Sequence, residues 1–481
     1  MTKNLDDGAS WQTVTKVERS MQPNRRQMIR SLAGSGLLLP GLMSELLADD
    51  SASTNADPRI SDPLAPKSPH FAARAKRVIF LFMTGGVSHI DTFDPKPVLT
   101  ARHDTQHKPN LYYKGSGWKF RPYGQAGTEV SDLFPHIGGI MDEACLIRSM
   151  TNINGDHFGA TIAIHTGSAT FNRPSIGSWV SYGLGTENAN LPAFMVVSPG
   201  LPYAGGQVWG SDFLPAVHQG TRVIPGEEPI ANMHSRARTA ELQQTELDIL
   251  SYFNQQHLIG REGDSQLAAR IKSYETAAGM QMAAPDLFDL HQESKSTLDL
   301  YGLEPGDTSG FAWQCLVARR MVERGVRFVE LIDSDSNVDR NWDAHAELTK
   351  YEHLARNVDQ PVAALIKDLK SRGMLDDTLV VFTTEFGREP FLPSPGTNGR
   401  GHHSRVFSTW LAGAGVCGGM VYGRSDELAD GVAENEVSVH DLQATILHQL
   451  GIDHEKLTYR HAGRDFRLTD VHGRVVHEIL A

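Results

Sequence analysis

Phe311 to Arg324, then Gly325, then Val326-Arg327-Phe328-Val329-Glu330-Leu331-Ile332 is the stretch that decides the fold. Leu316, Val317, Met321 and Val322 recur at helical spacing, Gly325 offers the left-handed residue that ends a helix, and a strand-forming run follows at once. A helix, a glycine cap and a buried strand make the repeating unit of an α/β protein. The unit recurs downstream. Val362, Leu365, Ile366 and Leu369 form one face of a helix whose first turn is expected to hold Pro361; Gly373 closes it and Leu379-Val380-Val381-Phe382 is the next strand. Ser438 is placed to cap a further helix through Leu442, Ile446, Leu447 and Leu450, ended by Gly451. Upstream, Val78-Ile79-Phe80-Leu81-Phe82-Met83 stops at Thr84-Gly85-Gly86 and reads as a central strand buried on both faces. Such alternation predicts an α/β fold with a mostly parallel sheet, whose ligand crevice lies at the carboxyl edges of the strands. Residues 235–282, polar and rich in Gln and Glu, read as a helical insertion bounded by Pro285.

A chain of 481 residues can hold two to three average domains or one large core. Its 40% apolar and 21% charged residues are those of an ordinary globular protein. A net charge of −12, with no run of Lys or Arg longer than two, gives no footprint for nucleic acid. Cys145, Cys315 and Cys417 are odd in number and widely spaced, so they form no metal knuckle and at most one disulfide. Near the amino end, Asn24-Arg25-Arg26-Gln27-Met28-Ile29-Arg30 precedes an apolar stretch from Leu32 to Leu47. These are the parts of an export signal over residues 1–48, and the paired arginines point to the twin-arginine export machinery. Residues 49–75 read as a linker, and no later stretch reaches the ~18 apolar residues of a membrane span. The mature protein is therefore expected to be exported, periplasmic or secreted.

Candidate site residues fall at separate turns. In Asn341-Trp342-Asp343-Ala344-His345, Asp343 and His345 are two apart and can share a cation if the segment is extended; the plainer alternative is an Asp capping a helix that begins near Ala346. Glu385 follows a strand directly, at the edge where ligands sit, with an ion pair to Arg388 as its alternative. His402-His403 lies in a glycine-flanked loop; adjacent imidazoles seldom share one ion, so one is expected to ligate and the other to support it. Asp91, in the turn after Gly85-Gly86, is a further metal carboxylate or else an Asx turn. Mixed oxygen and nitrogen ligands suit a divalent zinc, manganese or magnesium ion. Gly413-Ala414-Gly415-Val416-Cys417-Gly418 has dinucleotide spacing, but extended sequence follows where a helix should open.

Leu379 to Gly387 resembles the strand and metal turn of the sulfatase and alkaline phosphatase superfamily, in which an Asp commonly stands at the Glu385 position. Val437 to Leu447, through Gly451-Ile452, is similar to that superfamily's late helix. With Gly85 to Pro97, the Trp-Asp-x-His segment and the Gly-Arg-x-His segment, residues 77–465 resemble the secreted twin-arginine family catalogued as domain of unknown function 1501. The resemblance implies an alkaline-phosphatase-like three-layer sandwich over residues 76–481, a divalent metal and ester hydrolysis. In that superfamily the nucleophile lies nine residues before the Thr of a Thr-Gly pair; here the pair is Thr166-Gly167 and the position holds His157. Imidazole can attack, ligate or accept a proton, but it cannot become the formylglycine of a type I sulfatase. Thr84-Gly85-Gly86 also replaces an acidic pair, and Phe386 stands where an Asn or His ligand would follow the acid. The resulting expectation is an exported metal-dependent hydrolase of phosphate or other charged esters, on small-molecule or glycan substrates. In it His157 is nucleophile or base, Arg148, Arg388 and Arg400 hold the anion, and Asp91, Asp343, His345, Glu385, His402 and His403 supply the metal ligands. The alternative is a secreted binding or assembly protein that kept the fold without the chemistry.

Overall fold

The computed structural model describes residues 62–235, 237–261, 264–334 and 341–481. The expected export signal and the first part of the linker lie outside the described residues. From Asp62 to Ala75 the chain has no helix or strand, yet it is strapped to the domain: Lys67 N donates to Leu184 O at 2.9 Å, and Arg74 and Ala75 both donate to Gln449 O.

One large sheet organises the chain. Its strands are β1 (Arg77–Met83), β2 (Ala144–Thr151), β3 (Phe194–Val197), β4 (Thr221–Val223), β5 (Phe328–Asp333), β6 (Thr378–Thr383), β7 (Phe407–Ala412), β8 (Val421–Tyr422) and β9 (Val437–Ser438). The order is β8-β2-β7-β6-β1-β5-β3-β4, with β9 also on β2. β7 runs against both neighbours and every other pairing is parallel. The main helices are α1 (His157–Thr166), α2 (Ile176–Leu184), α3 (Ala240–Leu258), α4 (Ser265–Phe288), α5 (Gly310–Glu323), α6 (Lys350–Ser371) and α7 (Val439–Gln449).

Alternate residues of β1 enter different cores, as the strand period requires. Ile79, Leu81 and Met83 pack with α5 and α6 residues such as Trp313, Leu316, Val358 and Leu365. Val78, Phe80 and Phe82 pack with Ile162, Trp179, Leu442 and Ile446 of α1, α2 and α7. Helices on both faces of a mostly parallel sheet give three layers, as the alternating pattern predicts. Ser438 caps α7 through a capping box with Asp441.

Two prolines lie deeper in their helices than the sequence pattern predicts. Pro361 lies inside α6, which begins at Lys350, and Asp343 caps no helix at Ala346. Tyr351, Leu354, Ala355 and Val358 extend the buried stripe toward the amino end, and that burial outweighs the one backbone bond a proline removes. Pro285 likewise lies inside α4, because buried Ala284 and Leu287 draw the last turn into the core. The stretch expected to be helical holds α3 and α4, and α4 runs on to Phe288.

The turn after β1 positions the site. Gly85 has φ +110°, and a Cβ there would lie 2.6 Å from Asp343 N and 2.8 Å from Trp342 N. The absence of a side chain lets the 341–343 segment close on the sheet edge, where Trp342 N donates to Thr84 O at 3.0 Å. Gly85→Ala is expected to cost about 1–3 kcal/mol through backbone strain and this clash. Urea unfolding checks it, and unchanged stability would mean that the segment retreats freely.

Candidate metal centre

Three carboxyl ends and one strand start converge. β1 leads to Gly85-Gly86, β2 to the loop before His157, and β6 to Thr384-Glu385, while antiparallel β7 begins at this edge just after His402-His403. Asn341 to His345 closes over the end of β1. Gly387–Arg388 pairs with His402–His403 as a short antiparallel ladder, so the two late motifs are held in register. Asn152 fastens the β2 side by donating to Glu385 O at 2.7 Å and Ala160 O at 3.1 Å.

At the amino end of α1, the Asp156 carboxylate accepts from Gly159 N at 2.9 Å, and the His157 ring is turned inward. His157 Nδ1 lies 2.7 Å from Glu385 Oε1. Glu385 is fully buried and also accepts from Gly85 N at 2.9 Å and Thr384 Oγ1 at 3.0 Å. A carboxylate at that distance assigns a proton to Nδ1, so that in the neutral ring the lone pair is on Nε2. That Nε2 is buried without a hydrogen bond, 3.3 Å from Asp343 Oδ2. His402 is oriented the same way, its Nδ1 donating to Gly155 O at 3.0 Å. Its Nε2 stands 2.8 Å from His345 Nε2, and His345 Nε2 is 3.1 Å from Asp343 Oδ1.

One ligand atom from each of His157, Asp343, His345 and His402 lies within 4.8 Å of the others. Three imidazole nitrogens and a carboxylate oxygen, two of the rings steered by acceptors behind them, form a donor set that could hold a divalent cation. Two facing Nε2 atoms crowd each other when neither carries a proton, and a cation between them removes that conflict. Arg388 steadies the carboxylate, its Nη2 donating to Asp343 Oδ1 at 2.7 Å. Tyr203 stacks on His157 with centroids 3.9 Å apart, accepts from Asn341 Nδ2 at 2.9 Å and reaches Asp343 Oδ2 at 3.4 Å.

The electrostatics follow from these contacts. Burial disfavours the ionised Asp343, but His157, His402 and Arg388 overcome it and hold the carboxyl well below its usual range. Burial would lower His157, yet Asp343 and Glu385 raise it on balance. Glu385 is lowered against its own burial, chiefly by His157. The Tyr203 phenol is pushed up to about 12 by burial, so it stays protonated and donates.

The remaining expected residues stand outside the four converging groups. Glu385 stands behind His157 rather than among the four converging atoms. Asp91 is fully buried against Arg400, whose Nε and Nη2 reach its two oxygens at 2.7 and 3.2 Å. Arg400 spends its other N–H groups on Lys114 O, Glu389 O and Gly115 O, which leaves no donor for an anion. Arg388 is committed to Gly85 O, Gly86 O and Arg400 O besides Asp343. Arg148 donates to Phe93 O and Glu129 O, away from the cluster. His403 turns from its neighbour and meets Asp430 O at 3.1 Å. Tyr203 was not foreseen, and its loop, Pro199-Gly200-Leu201-Pro202-Tyr203, carries no pattern that would mark it.

Among solved structures, the lipoteichoic acid synthase LtaP from Listeria monocytogenes is similar at 12% identity, with 85% of this chain and 79% of that chain covered and a TM-score of 0.37. The PsFucS1 sulfatase from Pseudoalteromonas sp. follows at 14% identity, 79% and 69% coverage and a TM-score of 0.36. Alkaline phosphatase from the Antarctic bacterium TAB5 is similar at 13% identity, 79% and 99% coverage and a TM-score of 0.33. Likeness at this level leaves the chemistry to the side chains themselves. Among curated proteins, none matches. A family model does match residues 75–480, and the chain belongs to that family, described as a protein of unknown function (DUF1501).

Proposed function

We propose that this chain is an exported, metal-dependent hydrolase of phosphate or other charged esters. The observation that carries the reading is the convergence of His157, Asp343, His345 and His402 with their reactive atoms within 4.8 Å. Asp343, His345 and His402 would hold the ion, three ligands leaving a position open as catalytic sites do. When bound, the ion polarises the ester oxygen and lowers the pKa of water toward ~7. His157 is then the proton acceptor. Glu385 fixes its tautomer and stabilises the imidazolium once the proton arrives, Tyr203 holds the ring face, and Nε2 points into the cluster. Arg388 acts through Asp343, and Arg400 through the Asp91 frame.

The test is turnover of aryl phosphates, phosphodiesters and aryl sulfates by the full chain, with zinc, manganese or magnesium and after chelation. Rates equal to buffer with every metal would sink the hydrolase and leave the binding-protein alternative. His157→Ala is expected to keep its metal and lose turnover. Glu385→Gln should lower kcat by about 10²–10⁴-fold with metal retained, the contribution of a correctly held general base. Loss of metal in either variant would instead make His157 a fourth ligand. Export is supported by the order of basic, apolar and polar segments at the amino end; Arg25→Lys with Arg26→Lys should keep the protein in the cytoplasm on cell fractionation.

A further inference from the structure

A cavity of about 340 Å³ opens beside the cluster, and His345 belongs to both. Leu111, Phe391 and Leu392 give it apolar walls, and Asn110 and Glu389 add polar ones. Its charge is unexpected for an anion site. Arg400 also lines it, but every guanidinium N–H of Arg400 is taken by Asp91 or by a backbone carbonyl. Lys114, nearby, turns Nζ to Thr397 O at 3.3 Å. Arg405 is paired with Asp430.

Glu389 is different. Among the described residues its carboxylate makes no ion pair, while its backbone is pinned to the ladder by Glu389 N donating to Gly401 O at 2.9 Å. Glu389 is exposed and lines the cavity, so its carboxylate is open to a docked cation. Phe391 stands two residues on, its ring stacked on His107 at 4.8 Å and 14° and tilted against Tyr113. A carboxylate without an ion pair beside a fixed aromatic ring, in a cavity whose one guanidinium has no free N–H, is a combination that attracts an organic cation.

We propose that this cavity is a subsite for an alkylammonium group, so that the ester taken by the adjoining centre carries a positively charged end. The second half rests on the hydrolase reading; the subsite itself does not.

Titration calorimetry of the full chain with choline and with 3,3-dimethyl-1-butanol, its uncharged isostere, tests it. Choline is expected to bind about tenfold tighter, and the difference should collapse in Glu389→Gln. Phe391→Leu, which keeps bulk without a ring, should lose about threefold to tenfold of the choline affinity. Equal affinity for the two probes, no binding of either, or a preference that survives Glu389→Gln would overturn the subsite. Choline discrimination in a protein that turns over no ester upholds the subsite and fells the hydrolase alone; turnover without discrimination does the reverse.

Discussion

Full-length protein carrying Asp343→Ala is expected to emerge from chelator-free purification without metal, where the proposed centre predicts about one equivalent in the parent. Asp343 is the hub of the cluster: Oδ1 faces Arg388, His345 and His402 at 2.7, 3.1 and 3.5 Å, and Oδ2 faces His157 and Tyr203. Removing it deletes the only anionic ligand and leaves three imidazoles beside a guanidinium. Affinity should fall by more than the roughly 10–100-fold that loss of an outer-sphere partner costs. Stability should fall too, since Arg388 is fully buried and loses its carboxylate. The cost is about 3 kcal/mol, the low end for a broken buried pair, because three carbonyl oxygens still surround the guanidinium. Elemental mass spectrometry and urea unfolding read the two effects separately. Metal retained at one equivalent would show that the histidines suffice and that Asp343 serves the frame alone.

The layers of the fold were legible because burial imposes a period. Apolar runs in β1, β5 and β6 could be nothing but strands between two cores, and α5 and α7 announced themselves by a stripe and a closing glycine. Both prolines lie inside helices for one reason: a longer buried stripe overrides local punctuation, as at Tyr351 to Val358 before Pro361. At the site, the motifs bring Asp343, His345 and His402 to one sheet edge with His157, since strand ends place their followers there. What sequence could not rank is distance from the centre. Glu385 and His157 lie 228 positions apart, and only the fold shows that the carboxylate stands behind the imidazole rather than beside it. Arg388 and Arg400 read equally well as anion clamps, because nothing local reveals carbonyls already waiting for their donors.

The same limit makes Asp91 the most informative residue outside the cluster, since a metal ligand and a frame residue answer mutation in opposite ways. Asp91 and Arg400 are both fully buried and meet across 309 positions, with Ser88 Oγ also 2.5 Å from Asp91 Oδ2. Asp91→Ala is expected to destabilise the protein by about 3–5 kcal/mol, because it strands a desolvated guanidinium that cannot shed its proton. Metal content per folded molecule should not change. Asp91→Leu combined with Arg400→Met removes both charges and should recover much of the loss, as buried pairs exchanged for apolar groups often do. Recovery would be incomplete, because Arg400 also ties together Lys114, Gly115 and Glu389 through their carbonyls. Urea midpoints of the three variants, set beside elemental analysis, decide the matter: metal lost from Asp91→Ala at undiminished stability would make Asp91 a ligand after all.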